Sequence, residues 1–261
     1  MSLLAVAVSG RGLVDPEAAV FRADDEALLR GGAAFETVRT YGGVPFLLDR
    51  HIRRFRFSID ALALPSADGL AELVDLVTGA APPDHVLRLY RTDRQLVATV
   101  ASLPDGLEEL RARGLSLRSV DVGAPAPLLT GAKTTSYGEA FAARRLAERE
   151  DADEALLVAD GLVLEAATAN IWWRRGDELR TPAVRPGVLP GVTRELVLEL
   201  EDATEGSFPL TELAGADEAF LTSSIREVMP VVVLDGKPVG SGVPGPAAAR
   251  LQAALRLRST G

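Results

Sequence analysis

The 261 residues hold two lysines, Lys133 and Lys237, against 26 arginines. Where a positive charge alone is wanted this chain uses arginine, so a lysine signals chemistry that a guanidinium lacks. Arginine stays protonated and its nitrogens are poor nucleophiles. A lysine amine forms imines with carbonyl groups once burial or a neighbouring charge lowers its pKa. Lys133 stands in GAKTTSY (131–137), where the small polar residues Thr134, Thr135 and Ser136 lead into a helical pattern, a setting that exposes an amine to a cleft. Lys237, in DGKP (235–238), reads as a solvated hairpin tip.

A Schiff-base lysine points to pyridoxal 5'-phosphate, which makes three further demands: donors for its phosphate, an acid for its pyridine nitrogen, and a fixed ring orientation. LPGVTREL (189–196) opens a helix whose first N–H groups, at Val192 and Thr193, suit a phosphate. TSS (222–224) offers the hydroxyls and backbone of Ser223 and Ser224, and Arg54 in HIRRFRF (51–57) offers a charged fork. Glu165 in VLEAATANIW follows an apolar strand, where a lone carboxylate set against a pyridine nitrogen would keep it protonated. Each piece taken singly has an ordinary structural explanation, as a helix start, a loop or a surface ion pair.

Composition narrows the alternatives. Net charge is −9 with no long basic run, so nucleic acid is not an expected partner. The two histidines, His51 and His85, sit in no ligand-spaced motif and cysteine is absent, so no metal site is expected. The apolar runs are too short for a bilayer, and MSLLAVAVSGRG lacks a basic lead, so it reads as a first strand rather than a signal peptide; a cytoplasmic location is the default expectation. GSGVPG (240–245) matches a dinucleotide-binding fingerprint in letters, but no βαβ unit surrounds it and Pro244 and Pro246 stiffen it, so it reads as a turn before the last helix.

The elements that must position these residues follow from periodicity. Residues 3–8, 35–40 and 45–48 read as short strands, with YGG (41–43) as a turn, followed by helices over 49–62 and ADGLAELVDLVTGA. HVLRLYRTD and QLVATVAS alternate as a hairpin. Pro, Gly and charge in LPDGLEELRARG place a linker at 105–113, between domains at 1–104 and 114–261, the second carrying Lys133. Downstream come a strand, the helix SYGEAFAARRLAERE, strands through EALLVADGLVLEAATANIWWRRGDELRTP, the helix after LPG, and strands through DEAFLTSSIREVMPVVVLDGKPVG. Strands and helices mix without regular βαβ alternation, which predicts an α+β chain in two domains.

Taken in order, AFETVR, the H-x-x-R of His51 and Arg54, GAKTTSY, DEALLVADGLVLEAATANIWW, TPAVRPGVLPGVTRE and DEAFLTSSIREVMPV resemble the fold-type IV (class IV) pyridoxal-phosphate enzymes, which include branched-chain and D-amino-acid aminotransferases and aminodeoxychorismate lyases. The resemblance runs from FRADDEALLRGGAAFETVR to PGPAAARLQAAL. It implies a small N-terminal and a larger C-terminal α+β domain with the cofactor between them, in a homodimer acting on a small amino substrate. It makes Lys133 the imine-forming lysine and Glu165 the pyridinium partner, and puts Arg54, Val192, Thr193, Ser223 and Ser224 on phosphate-binding positions. Branched-chain enzymes carry Asn-Tyr at the fourth and fifth positions after the lysine; here Ser136 and Tyr137 stand at the third and fourth. Arg30 replaces an aromatic residue, which suggests a carboxylate binder in place of a branched-aliphatic pocket.

Within this family two features favour 4-amino-4-deoxychorismate lyase, which releases pyruvate and the folate precursor 4-aminobenzoate. Thr37 in AFETVR matches the threonine that such lyases place near the scissile group, and SSIREVMPV is closer to lyase sequences than to the GTAAE type. Arg30 and Arg91 are the expected holders of the substrate's carboxylates. The alternative is an aminotransferase acting on D-amino acids or branched-chain L-amino acids, and a distant one is a binding module that kept the fold without the cofactor.

Overall fold

The computed structural model describes residues 1–259 as two compact units. The first comprises Met1–Asp105 together with Ala132–Tyr137, and the second comprises Gly106–Gly131 and Gly138–Ser259.

The first unit is a six-stranded sheet in the order β2-β1-β6-β5-β3-β4, formed by β1 (Leu3–Val8), β2 (Gly12–Val14), β3 (Ala34–Tyr41), β4 (Val44–Pro45), β5 (Val86–Arg91) and β6 (Leu96–Ala101). The short α1 (Glu26–Arg30) precedes β3, and α2 (Leu48–Ala61) and α3 (Leu70–Gly79) follow β4. Phe55, Ile59, Leu73 and Val77 from the two long helices bury themselves against Leu87, Leu89 and Val100 of the sheet. The strand expected over 45–48 stops at Pro45, because Leu47 turns into the left-handed region (φ 52) and α2 begins one residue later.

Burial along β3 alternates strictly, with Ala34, Glu36, Val38 and Thr40 buried and Phe35, Thr37, Arg39 and Tyr41 half-buried. Successive strand side chains point to opposite faces. Glu36 therefore looks toward α2, while Phe35 and Thr37 look the other way.

In the second unit a nine-stranded mixed sheet runs β12-β11-β10-β13-β14-β7-β8-β9, with β15 paired to β14. Its strands are β7 (Leu115–Asp121), β8 (Glu154–Ala159), β9 (Leu162–Ala166), β10 (Asn170–Arg175), β11 (Glu178–Pro182), β12 (Ala203–Gly206), β13 (Glu218–Ser223), β14 (Glu227–Leu234) and β15 (Lys237–Pro238). Helices α4 (Leu107–Arg113), α5 (Gly138–Arg149), α6 (Val192–Leu200), α7 (Leu210–Ala214) and α8 (Pro246–Ser259) complete it. Leu156, Trp173, Leu221 and Met229 lie at the centre of its core.

Two expectations about the domain boundary change. Residues 107–113, read as linker, form α4: Leu107 and Leu110 pack on the second core, and Arg111 pairs with buried Glu227 at 2.9 Å. The glycine that suggested a linker ends this helix instead. Gly114 has φ 78, and a Cβ there would lie 2.4 Å from Val232. The segment Ala132–Tyr137, expected with the second domain, belongs to the first unit. The amide of Phe35 donates to the Lys133 carbonyl at 3.0 Å, that of Thr135 to Ala33 at 2.8 Å, and that of Lys133 to the Ser58 hydroxyl at 2.9 Å. The GSGVPG stretch is the turn before α8, whose first amides, Ala247 and Ala248, donate to the Glu218 carboxylate at 3.0 and 2.7 Å.

Candidate active site

Because the Lys133 segment bridges to β3 at Ala34–Thr134, its side chain is laid over the sheet face that carries Phe35. The Lys133 ammonium sits 4.4 Å from the Phe35 ring centre and donates to the Tyr137 hydroxyl at 3.0 Å. Tyr137, one position nearer the lysine than in branched-chain enzymes, thus places its phenol directly on the amine. Tyr90 stacks on Phe35 with centroids 6.3 Å apart, giving that face an aromatic floor. Thr37 lies on the same face, two residues along β3, and pairs in register with Arg88 of β5.

On the other face, Glu36 is fully buried and accepts from Arg54 Nε at 2.7 Å, Arg54 Nη2 at 2.8 Å and His51 Nδ1 at 2.8 Å. His51 and Arg54 are three apart on α2 and so share the side that meets β3. Burial alone would raise the Glu36 pKa, but the charge and hydrogen bonds of Arg54, helped by His51, more than offset it and bring the value down to about 2. Burial also lowers the pKa of His51, against the opposing pull of Glu36. A neutral His51 donates its Nδ1 proton to Glu36, and the fork of Arg54 is held in one plane by this carboxylate.

Of the two arginines expected to bind carboxylates, Arg91 faces the helices and Arg30 lies exposed on α1. Arg91 stands in register with Ala34 on the helix-facing side and donates its Nε to the Pro65 carbonyl at 2.7 Å. The pleat turns it away from Phe35 and Lys133. Arg88, three residues earlier, is on the Lys133 face, and alternation through LRLYR already separates the two arginines. Arg30 ends α1 with an exposed side chain paired to Glu26 on its own helix at 2.6 Å, and the structure does not join it to the Lys133 set.

In the second unit, Ala166 and Ala169 pair across a tight turn, so that Glu165 at the end of β9 and Asn170 at the start of β10 come together. The Oε2 atom of Glu165 accepts from the Leu189 amide at 2.9 Å and the Asn170 side chain at 2.8 Å. Asn170 also donates to the Leu189 carbonyl at 2.9 Å. Leu189 leads into α6, whose N-cap, Gly191, has no side chain to satisfy the first amides, including those of Val192 and Thr193. On the other side of Asn170, strand pairing sets Thr222 directly opposite, which brings the turn holding Ser223 and Ser224 alongside. Three separated sequence motifs thus gather around one asparagine. That turn is pinned by Arg226, which donates to fully buried Glu154 at 2.9 Å; Thr168 donates to the same oxygen at 2.8 Å. Asn170, Glu36, Arg88 and the Glu154–Arg226 pair were not singled out from sequence. Among them only Arg88 carried a local signal, its place in the strand alternation.

A matching family model covers residues 33–234 and is described as amino-transferase class IV. The chain belongs to the class IV amino-transferase family. The D-alanine aminotransferase of Bacillus licheniformis is 29% identical over 96% of this chain and 95% of its own. The aminodeoxychorismate lyase of Bacillus subtilis (strain 168) is also 29% identical, over 90% of this chain and 88% of its own. A hypothetical aminotransferase from Mycobacterium tuberculosis, in a PLP-bound form, shares the fold with a TM-score of 0.88 at 24% identity, covering 97% of this chain and 98% of that one. The family's cofactor is pyridoxal phosphate, and the donors here fit it: an amine bonded to a phenol, a carboxylate that accepts from a backbone amide and an asparagine, and a helix entrance left without a side-chain cap.

Proposed function

We propose that this class IV enzyme binds pyridoxal phosphate at Lys133 and acts as a 4-amino-4-deoxychorismate lyase. The observation that favours the choice is Thr37, which shares the Phe35 face of β3 and pairs in register with Arg88. When bound, the cofactor supplies an aldehyde that takes up the substrate amine and a ring that delocalises negative charge on the neighbouring carbon.

In this reading Lys133 removes the proton from the carbon bearing the amine, and the Tyr137 hydroxyl keeps the lysine nitrogen in place. Thr37 relays a proton to the enolpyruvyl group as its bond to the ring breaks. That group leaves as pyruvate and the ring becomes aromatic as 4-aminobenzoate, with no net oxidation. Arg88 binds a substrate carboxylate. Glu165 holds a proton on the ring nitrogen, and Arg54, Val192, Thr193, Ser223 and Ser224 bind the phosphate.

Transamination of D-amino acids or branched-chain L-amino acids is the second reading, supported by the D-alanine aminotransferase that matches over 96% of the chain. A homodimer belongs to either reading, and the exposed side chains of Leu28, Leu128 and Phe141 support it as apolar surface for a second copy to cover. So does a cytoplasmic location; among the described residues, no helix is long and apolar enough to cross a membrane.

The test follows pyruvate and 4-aminobenzoate from aminodeoxychorismate, with keto-acid release from a panel of D- and L-amino acids alongside. Equimolar pyruvate and 4-aminobenzoate are expected. Neither product, with ready keto-acid formation from an amino acid, hands the assignment to the aminotransferase. Borohydride reduction of the loaded protein is expected to label the peptide containing Lys133, and label on Lys237 would remove Lys133 from the mechanism.

A further inference from the structure

We infer that Asn170 is a positioning residue that fixes the Glu165 carboxylate and the entrance to α6 as one piece, and that position 191 is glycine to make room for it. This rests on the reading of Glu165 as the partner of the cofactor's ring nitrogen and adds a residue to it.

The geometry has three parts. First, the Asn170 amide nitrogen donates to Glu165 Oε2 at 2.8 Å and to the Leu189 carbonyl at 2.9 Å. Two acceptors at one nitrogen settle which end of the amide faces them, because only the NH2 group can serve both. Second, the Leu189 amide donates to the same Glu165 oxygen at 2.9 Å, so both backbone polar groups of Leu189 are used within this cluster. Carboxylate, amide and helix entrance therefore move together. Third, the side-chain oxygen of Asn170 faces Gly191. A Cβ built on Gly191 would lie 2.0 Å from that oxygen and 3.2 Å from its Cγ, with Arg194 Cβ on the far side at 3.3 Å.

Gly191 has φ −67 and ψ 136, a conformation open to any residue. Its lack of a side chain is thus a matter of space and not of backbone freedom. The space is filled by Asn170, which is nine-tenths buried, and any methyl at 191 would drive the amide off Glu165.

The chemical consequence concerns charge. Hydrogen bonds from N–H groups favour the ionised form of a carboxylate. Asn170 supplies such a donor; an aspartate of the same shape would set an acceptor against two acceptors.

The experiment compares Asn170→Asp, Gly191→Ala, Asn170→Ala, the double variant Asn170→Ala with Gly191→Ala, and Glu165→Gln. Readouts are equilibrium binding of pyridoxal phosphate to apoprotein, the pH titration of the bound cofactor's absorbance, and apoprotein melting. Asn170→Asp and Gly191→Ala are expected to weaken binding about tenfold, the usual worth of a hydrogen bond to a charged group. They should shift the titration in the same direction as Glu165→Gln, a change that a loss of stability alone does not produce. The double variant should bind no worse than Asn170→Ala, since the added methyl then has nothing to strike. Wild-type binding and titration in Asn170→Asp and Gly191→Ala, with Glu165→Gln impaired, overturns the inference alone. Full additivity in the double variant overturns the link to Gly191. Wild-type behaviour in Glu165→Gln overturns the underlying reading of Glu165, and the inference with it.

Discussion

Glu36 and Glu165 are both carboxylates on strands next to candidate cofactor donors, and they are held in opposite ways. Glu36, in the first unit, is fully buried and gripped at both oxygens by the guanidinium of Arg54, with His51 as a third donor. At Glu165 Oε2, in the second unit, the bonds come from a backbone amide and an asparagine, neither of which carries charge. A carboxylate matched to a guanidinium has its charge cancelled and serves to fix the arginine. Neutral donors orient a carboxylate without cancelling its charge. The difference supports the reading of Glu36 as architecture and the proposal that Glu165 meets the cofactor's ring nitrogen.

The strongest way to break this comparison is at Glu36. Glu36→Gln leaves a buried guanidinium short of its partner, a change that costs on the order of 3 kcal/mol, measured by urea unfolding. The pH dependence gives a second check. The folded pKa lies at about 2, below the ordinary value of 4.5, so this carboxylate contributes stability that is present above pH 4.5 and lost as the pH falls toward 2. Wild type should lose stability over that window, and Glu36→Gln should lose distinctly less of it. An unchanged slope there would mean that Glu36 is not the group responsible.

Glu165→Gln probes the other side. The variant should fold and keep its cofactor while turnover drops about a hundredfold, equal to roughly 2.7 kcal/mol of transition-state stabilisation. Near-normal turnover in the loaded variant would erase the distinction between the two carboxylates. Thr37→Val sharpens the reaction assignment. A lyase should lose roughly a hundredfold in pyruvate release with cofactor binding spared, whereas a transaminase should tolerate a side chain of similar shape.

The smallest effects come from the two arginines of β5. Arg88→Ala should raise KM about tenfold through loss of one charged hydrogen bond. Arg91→Ala, which loses a bond to the Pro65 carbonyl on the helix side, should change KM little and stability by about 0.5 kcal/mol or less. A larger KM effect at Arg91 than at Arg88 would reverse the assignment of faces.

Much of this molecule was legible without coordinates. Helical patterns marked α2, α3 and α5, a Pro-Gly opening marked α6, turn residues separated β8 from β9 and β10 from β11, and the rarity of lysine drew attention to residue 133. These are local properties, set by a 3.6- or 2-residue period and by what a side chain can do chemically. Where local signals conflicted, packing decided. Proline and glycine around 103–114 suggested a linker, yet Leu107, Leu110 and Arg111 had a core and a buried carboxylate to meet, so a helix formed.

The sequence by itself determined the family and singled out Lys133 and the candidate donors, because those rest on residue types in a fixed order. Only the tertiary structure decided that Lys133 lies with the first unit, that Arg88 and not Arg91 shares its face, and that Asn170 stands between three motifs. Each depends on strand register or on a contact between residues far apart in the chain, and a one-residue shift in register turns every side chain to the other face. Side-chain chemistry can be read from letters. The neighbours that hold a carboxylate ionised, or turn an arginine away, are chosen by the fold.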